Sequence, residues 1–336
     1  MLDSYEKIKI FVTPELKMIL IKDAELFEFK KTDNTANLNK FLNVLITNYF
    51  DEFSKNEAEK FNKINTLIEK YSIKGDLEPF IYDSLRIIDS KFKKEDKYST
   101  YLSFRPNKDS VYLVNYIENK LLKNSSISDY FRNLFLSYVS MPQFKRERII
   151  CKETLAKVEE AIKDSKKVIL CTEYNKDDRE KLSPYSIAII KDETFNYILC
   201  KNGHGAIQSF RLSKVKDCLV TKETTSFTEE EIALCKKITK YGAQYVYYPN
   251  EQETIIEFTK RGLKLFDRMY VYRPIPDKIE GETMYFNCSY EQLYQYFSRF
   301  GGEIRVIKPN FLRKKLLKYH KDAYKKMVYK AEKMDK

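Results

Sequence analysis

Two short stretches of this chain alternate polar or aromatic residues with aliphatic or aromatic ones at a spacing of two. One runs from Lys7 to Val12 and the other from Tyr101 to Arg105. A period of two is the pattern of a half-buried strand, so Ile8, Ile10, Val12, Leu102 and Phe104 are predicted to turn inward. Lys7, Lys9, Phe11, Tyr101, Ser103 and Arg105 then form the opposite faces, and their chemistry suits nucleic acid. Arginine offers a fork that bonds both acceptors of guanine, lysines neutralise phosphates, and aromatic rings stack on unpaired bases. Residues for catalysis are not assembled in the same way. No nucleophile stands beside a base, and the eight glycines build no phosphate-cradling loop. The six cysteines never approach a CxxC spacing, and the only histidines are His204 and His320. No enzymatic activity, no cofactor and no metal site are therefore expected.

The formal net charge of +12 points to an anionic partner. Most of it lies at the end of the chain, where residues 308–336 hold eleven lysines or arginines against three acids. Leu312, Leu316, Tyr319, Ala323, Met327, Ala331 and Met334 recur there at helical spacing, which predicts an amphipathic helix with a basic back. Neither a leader peptide nor a run of apolar residues long enough for a membrane span is recognisable, so a cytoplasmic protein with no membrane partner is expected.

The elements that must position the two strands repeat. After Val12, Thr13-Pro14 forms a helix start, and Leu16, Ile19, Leu20, Ala24 and Phe27 continue at helical spacing. A polar loop follows, then Leu38, Phe41, Leu42, Leu45, Ile46 and Tyr49. The same order returns after Arg105. Leu113, Val114, Ile117 and Leu121 mark a first helix at an offset of 94, and Ile127, Tyr130, Phe131, Leu134, Phe135 and Tyr138 a second at an offset of 89. Each copy is strand, helix, helix, and a lone strand must pair to hide its edge. Pairing within the chain and between chains are both open. Between the copies, residues 54–95 are predicted to be a helical insertion. It comprises one helix through Phe61, Ile64, Leu67, Ile68 and Tyr71 ended by Gly75, and a second through Phe80, Leu85 and Ile88.

This repeat resembles the ribbon-helix-helix family of DNA-binding proteins, with both halves in one polypeptide. The resemblance implies that the six outward residues read base edges in the major groove. It also implies that backbone amides near Asn37 and Ser126, at the start of each second helix, hold phosphates. Phe11 and Tyr101 are aromatic where polar base readers are usual, which suits single strands and leaves DNA and RNA both open.

From Lys167 the texture changes to short β-rich runs at Val168–Tyr174, Tyr185–Ile190, Tyr197–Cys200 and Ser209–Leu212, as in a small barrel. Glu173-Tyr174, the basic turn with Arg179 and Lys181, Pro184, Tyr197-Ile198-Leu199 and Phe210-Arg211-Leu212 together resemble the WYL domain, an Sm-like β-barrel. Asn196 and Ile198 depart from the triplet that names that domain. The resemblance implies an anionic or nucleotide-like ligand held by Tyr174, Arg179, Lys181, Tyr197, His204, Phe210 and Arg211. The later strands and helices are similar to the small α+β extension that follows WYL domains and serves in dimer contacts. The expected architecture is multidomain α+β. Residues 1–150 carry the tandem ribbon-helix-helix domain, 151–222 the barrel with a leading helix, 223–250 a linker helix, and 251–336 the C-terminal extension with its basic helix. The function implied is a ligand-responsive, homodimeric transcriptional regulator. The alternative, implied by a resemblance to WYL accessory proteins found beside RNA-targeting type VI CRISPR effectors, is an accessory protein that binds RNA or single-stranded DNA and modulates a CRISPR nuclease.

Overall fold

The computed structural model describes residues 6–70, 81, 98–122, 126–172, 180–189, 194–248 and 251–334, with side chains to residue 328. The chain forms two compact units, Met1–Leu155 and Ala156–Lys336, each mixed α and β with small sheets.

In the first unit, β1 (Ile8–Val12) ends at Thr13, whose hydroxyl accepts the amide N–H of Leu16, and Pro14 opens α1 (Pro14–Leu26). Next come α2 (Leu38–Lys70), β2 (Thr100–Phe104) and α3 (Val111–Tyr116), which passes into a π-helical turn over Ile117–Leu121. α4 (Ile127–Val139), α5 (Gln143–Ile150) and α6 (Lys152–Lys163) complete the series, the last crossing the unit boundary in sequence.

β1 and β2 pair antiparallel within one chain, in the register Ile8↔Phe104, Lys9↔Ser103, Ile10↔Leu102, Phe11↔Tyr101 and Val12↔Thr100. Given the repeat offset of 94, Lys9 and Ser103 are equivalent positions and pair with each other. The register is thus symmetric about them, and a pseudo-twofold axis passes through the ribbon centre. The inward face buries Ile10, Val12, Leu102 and Phe104, the helices bury Leu16, Leu20, Phe41, Leu42, Leu45, Phe131, Leu134 and Phe135, and the Phe104 and Phe131 rings meet edge to face at 5.4 Å. Tyr49 and Tyr138, equivalent at the offset of 89, meet with ring centroids 6.3 Å apart.

The expected separate helix at the start of the 54–95 insertion is instead the second half of α2. No glycine or proline interrupts residues 38–70, and apolar residues continue at helical spacing through Phe50, Phe53, Phe61, Ile64 and Ile68, so nothing in the chain stops the helix. The second insertion helix lies outside the described residues except for Ile81, which packs with Ile68.

In the second unit, β3 (Lys166–Thr172) pairs antiparallel with β7 (Val215–Thr224), while β4 (Ser183–Ile189), β5 (Asn196–Lys201) and β6 (Ile207–Arg211) form a meander. Among the described residues, the bridge Val168↔Leu182 joins the two sheets. Among the described residues these strands do not close into a barrel, which departs from the expected Sm-like closure. Residues 173–179 and 190–193 lie outside the described residues. The linker helix α7 (Glu229–Tyr241) starts with a capping box between Thr228 and Glu231. Beyond it come β8 (Thr254–Phe258), α8 (Lys260–Arg268), β9 (Lys278–Glu280), β10 (Thr283–Phe286), α9 (Tyr290–Phe297), β11 (Ile304–Lys308) and α10 (Asn310–Met334). The strands order as β11-β8-β10-β9. One core holds Leu199 of the meander, Ile238 and Tyr241 of α7, and Phe258, Phe266, Phe286, Phe297 and Leu312, so these segments share their apolar interior. α8 approaches the chain before β11 so closely that a Cβ at Gly262 would lie 2.2 Å from the Glu303 carbonyl oxygen.

Candidate nucleic-acid interface

The outer face of the ribbon carries all six candidate residues. Lys7, Lys9, Phe11, Tyr101 and Arg105 are exposed and Ser103 is half-buried. Their arrangement follows from the register. Phe11 and Tyr101 are direct cross-strand partners with half of each residue exposed, 50% in both cases. Lys9 and Ser103 sit at the centre. Extending the register by one step sets Lys7 opposite Arg105 at the other end.

Each strand end is clamped by the second helix of the opposite half. The amide N–H of Arg105 donates to Asn39 Oδ1 at 2.7 Å, and Asn43 Nδ2 donates to the Arg105 carbonyl at 3.0 Å. At the equivalent place, the amide N–H of Phe11 donates to Ser128 Oγ at 3.1 Å, and Arg132 Nε donates to the Phe11 carbonyl at 2.7 Å. Asn39 and Ser128, and Asn43 and Arg132, are equivalent at the offset of 89. The same two-bond device therefore occurs twice with different side chains. Asn43, almost fully buried, also accepts from the Asn107 amide at 2.9 Å and from the Ser110 hydroxyl. It ties the exit of β2 to the start of α3.

Residues not anticipated from sequence complete the face. Lys17 Nζ donates to Thr100 Oγ1 at 3.2 Å and lies 5.9 Å from the Tyr101 ring centroid, with Lys9 Nζ at 5.8 Å from the same ring. Arg132 stacks on the exposed ring of Tyr98 at 3.9 Å. The spacing of Lys17, four residues after the helix cap, was a signal for α1 facing the ribbon, but only the register brings it to Tyr101.

The two second helices start differently. α2 has no acid in its first turn, and Asn37 Oδ1 accepts the amide of Lys40 at 3.1 Å. α4 opens with a capping box in which the Asp129 amide donates to Ser126 Oγ at 3.1 Å and Asp129 Oδ2 accepts from the Ser126 hydroxyl at 2.8 Å. Burial works to raise the Asp129 carboxyl, but the bonds from Ser126 and from Arg132 (2.6 Å) outweigh it and hold it below the usual carboxylate range. An ionised acid thus already occupies the helix start that was expected to hold a phosphate near Ser126.

In the second unit, Tyr174 and Arg179 lie outside the described residues. Tyr197 and Arg211 are cross-strand partners in β5 and β6 and share a face. Phe210 pairs with Ile198 one step along, on the opposite face. Arg211 stacks 3.4 Å from the Phe195 ring and Arg211 Nε donates to Ser213 Oγ at 2.9 Å, while Tyr197 packs against the shared core. Lys181 is instead ion-paired with Glu223, which Lys167 also contacts at 3.2 Å, and these hydrogen bonds hold the exposed Glu223 carboxyl below its usual range. His204 is exposed in a turn organised by Asn202 Oδ1, which accepts the amides of His204 and Ala206 at 3.1 and 2.8 Å. The structure therefore brings Tyr197 and Arg211 together, and Lys181 is drawn to β7 instead. Among the described residues, no cluster of three or more metal-ligating side chains occurs, and no helix is long and apolar enough to cross a membrane.

No protein family matches the sequence, and no curated protein does. A solved structure described as a CRISPR Cas-related protein matches 96% of this chain and 95% of its own, with a TM-score of 0.69 and 18% sequence identity. A second, the proteasome accessory factor B/C of Arthrobacter aurescens, matches 67% of this chain and 36% of its own at 12% identity, and its TM-score of 0.24 is too low to support any inference. The chain shares the fold of the CRISPR Cas-related protein over nearly its whole length.

Proposed function

We propose that this protein is a CRISPR-associated accessory protein that binds single-stranded nucleic acid through a ribbon-helix-helix-like ribbon. The observation that carries the proposal is the pair Phe11 and Tyr101, side by side and half-exposed, with the ammonium groups of Lys9 and Lys17 beside Tyr101. Exposed rings flanked by cations are the working parts of single-strand binding, where stacking contributes about 1–3 kcal/mol per base and every base has a face to stack. The duplex code is read by hydrogen-bonding side chains, whereas Phe11 offers no such group and Tyr101 a single hydroxyl at the edge of a ring suited to stacking. The CRISPR context is supported by the fold shared with a CRISPR Cas-related protein.

Around Arg211 and Tyr197 the second unit carries the chemistry for an anionic ligand of WYL type, with the guanidinium stacked on Phe195. Self-association through the C-terminal segment completes the proposal, supported by the exposed Leu317, Tyr324 and Met327 of α10.

Fluorescence anisotropy of the whole protein with single-stranded RNA, single-stranded DNA and duplex DNA over a salt series tests the reading. Preferential binding of single strands, together with altered cleavage when the protein is added to an RNA-targeting CRISPR nuclease, is the expected result. Tight duplex binding that is lost in Arg105→Ala would instead favour a groove-reading transcriptional regulator.

A further inference from the structure

The pseudo-twofold axis makes the two ends of the ribbon equivalent in backbone, yet they differ in chemistry. One end presents Phe11 and Tyr101. The other presents Arg105 and Lys7, the residues equivalent to them at the offset of 94. The charged groups behind the aromatic end are committed elsewhere: Asp129 is paired with Arg132 at 2.6 Å, Arg132 also donates to the Phe11 carbonyl, and the Lys9 and Lys17 ammonium groups lie beside the Tyr101 ring. What the strands themselves present therefore differs between the ends, two half-exposed rings at one and a guanidinium with an ammonium at the other.

From these differences we infer that the ribbon is polar, stacking unpaired bases of a single strand at the Phe11–Tyr101 end and holding its phosphates at the Lys7–Arg105 end. This rests on the single-strand reading above and assigns a separate task to each end. Four residues of extended chain set the ends about 13 Å apart, so one strand lying along the ribbon reaches both. Lys9 and Ser103 between them serve either neighbour.

Two probes separate the tasks: an oligouridylate, and an abasic ribose-phosphate strand of the same length and charge. Binding of the full-length protein to each is measured over a salt series for the unaltered chain, Tyr101→Ala, Tyr101→Phe and Arg105→Ala. Tyr101→Ala is expected to weaken oligouridylate binding by about 5- to 150-fold and to leave the abasic strand unchanged, with Tyr101→Phe restoring oligouridylate binding. Arg105→Ala is expected to weaken both strands alike and to reduce the slope of log affinity against log salt by about 0.7. Equal losses on both probes from Tyr101→Ala, or an Arg105→Ala loss confined to the base-bearing strand, would overturn the polarity while leaving single-strand binding intact. Failure of the unaltered protein to bind either probe at low salt would overturn the functional reading itself.

Discussion

Asp23 lies on α1 with 1% of its surface exposed, and Arg146 Nε stands 3.1 Å from Asp23 Oδ2. Burial nevertheless raises its carboxyl to about 6, because loss of hydration outweighs the attraction of Arg146 and Lys22. A folded-state value above the unfolded one means that the folded chain takes up a proton the unfolded chain does not. Asp23 therefore costs stability above about pH 6, and that cost is relieved as pH falls toward about 4. Relative to Asp23→Asn, the unaltered protein should gain on the order of 2–3 kcal/mol between those limits, measured by urea unfolding at each pH. A flat difference would show that Arg146 fully compensates the charge. Asn43 supports a second prediction. Its replacement by alanine removes the acceptor of the buried Ser110 hydroxyl and the donor to the Arg105 carbonyl, and should cost about 2–3 kcal/mol in the same assay. The strand alternation showed which face each ribbon residue takes. Asn43 was harder to see, because a lone polar residue on an apolar helix face has no periodicity of its own. Its equivalence to Arg132 was the available signal, since both copies place a long or branched donor at the same step.

Secondary-structure elements were legible where their period was clean. The repeat offset makes any antiparallel pairing of β1 and β2 pseudo-symmetric, so the sequence carried the symmetry of the ribbon but not its register, and the centring on Lys9 and Ser103 is seen only in the structure. β7 was missed for the opposite reason. It is ten residues long, but its buried positions are confined to Val215 and Cys218, and the remainder mixes charged residues with the exposed Leu219 and Val220 and shows no alternation. The extension of α2 to Lys70 was hidden by reading the insertion as a unit of its own, although nothing between residues 38 and 70 could end a helix. Two element-scale predictions follow from contacts in the second unit. Gly262→Ala would place a methyl group against the Glu303 carbonyl and push α8 from β11, with a loss of about 1–3 kcal/mol or more and a lowered Tm. Thr228→Ala removes the hydroxyl that accepts the Glu231 amide and should cost about 1 kcal/mol, with Thr228→Ser restoring most of it.

Across the whole molecule, the charge of +12 is uneven, and the basic α10 and the ribbon are far apart in sequence. Binding that used both would show a steeper salt dependence than the ribbon alone supplies, and truncation of α10 after Leu317 tests this through the same slope. Composition alone could not distinguish a solvated basic helix from a phosphate-contacting one, since both read as lysines on a helix back. The strand clamps have a different consequence. Because α4 grips β1 and α2 grips β2, neither copy of the repeat owns the bonds that finish its own strand. The copies are therefore interlocked, and the covalent link between them is dispensable for their association. Supplied as two polypeptides divided between residues 70 and 98, the protein should reassemble by fragment complementation, and neither copy of the repeat should fold in the absence of the other.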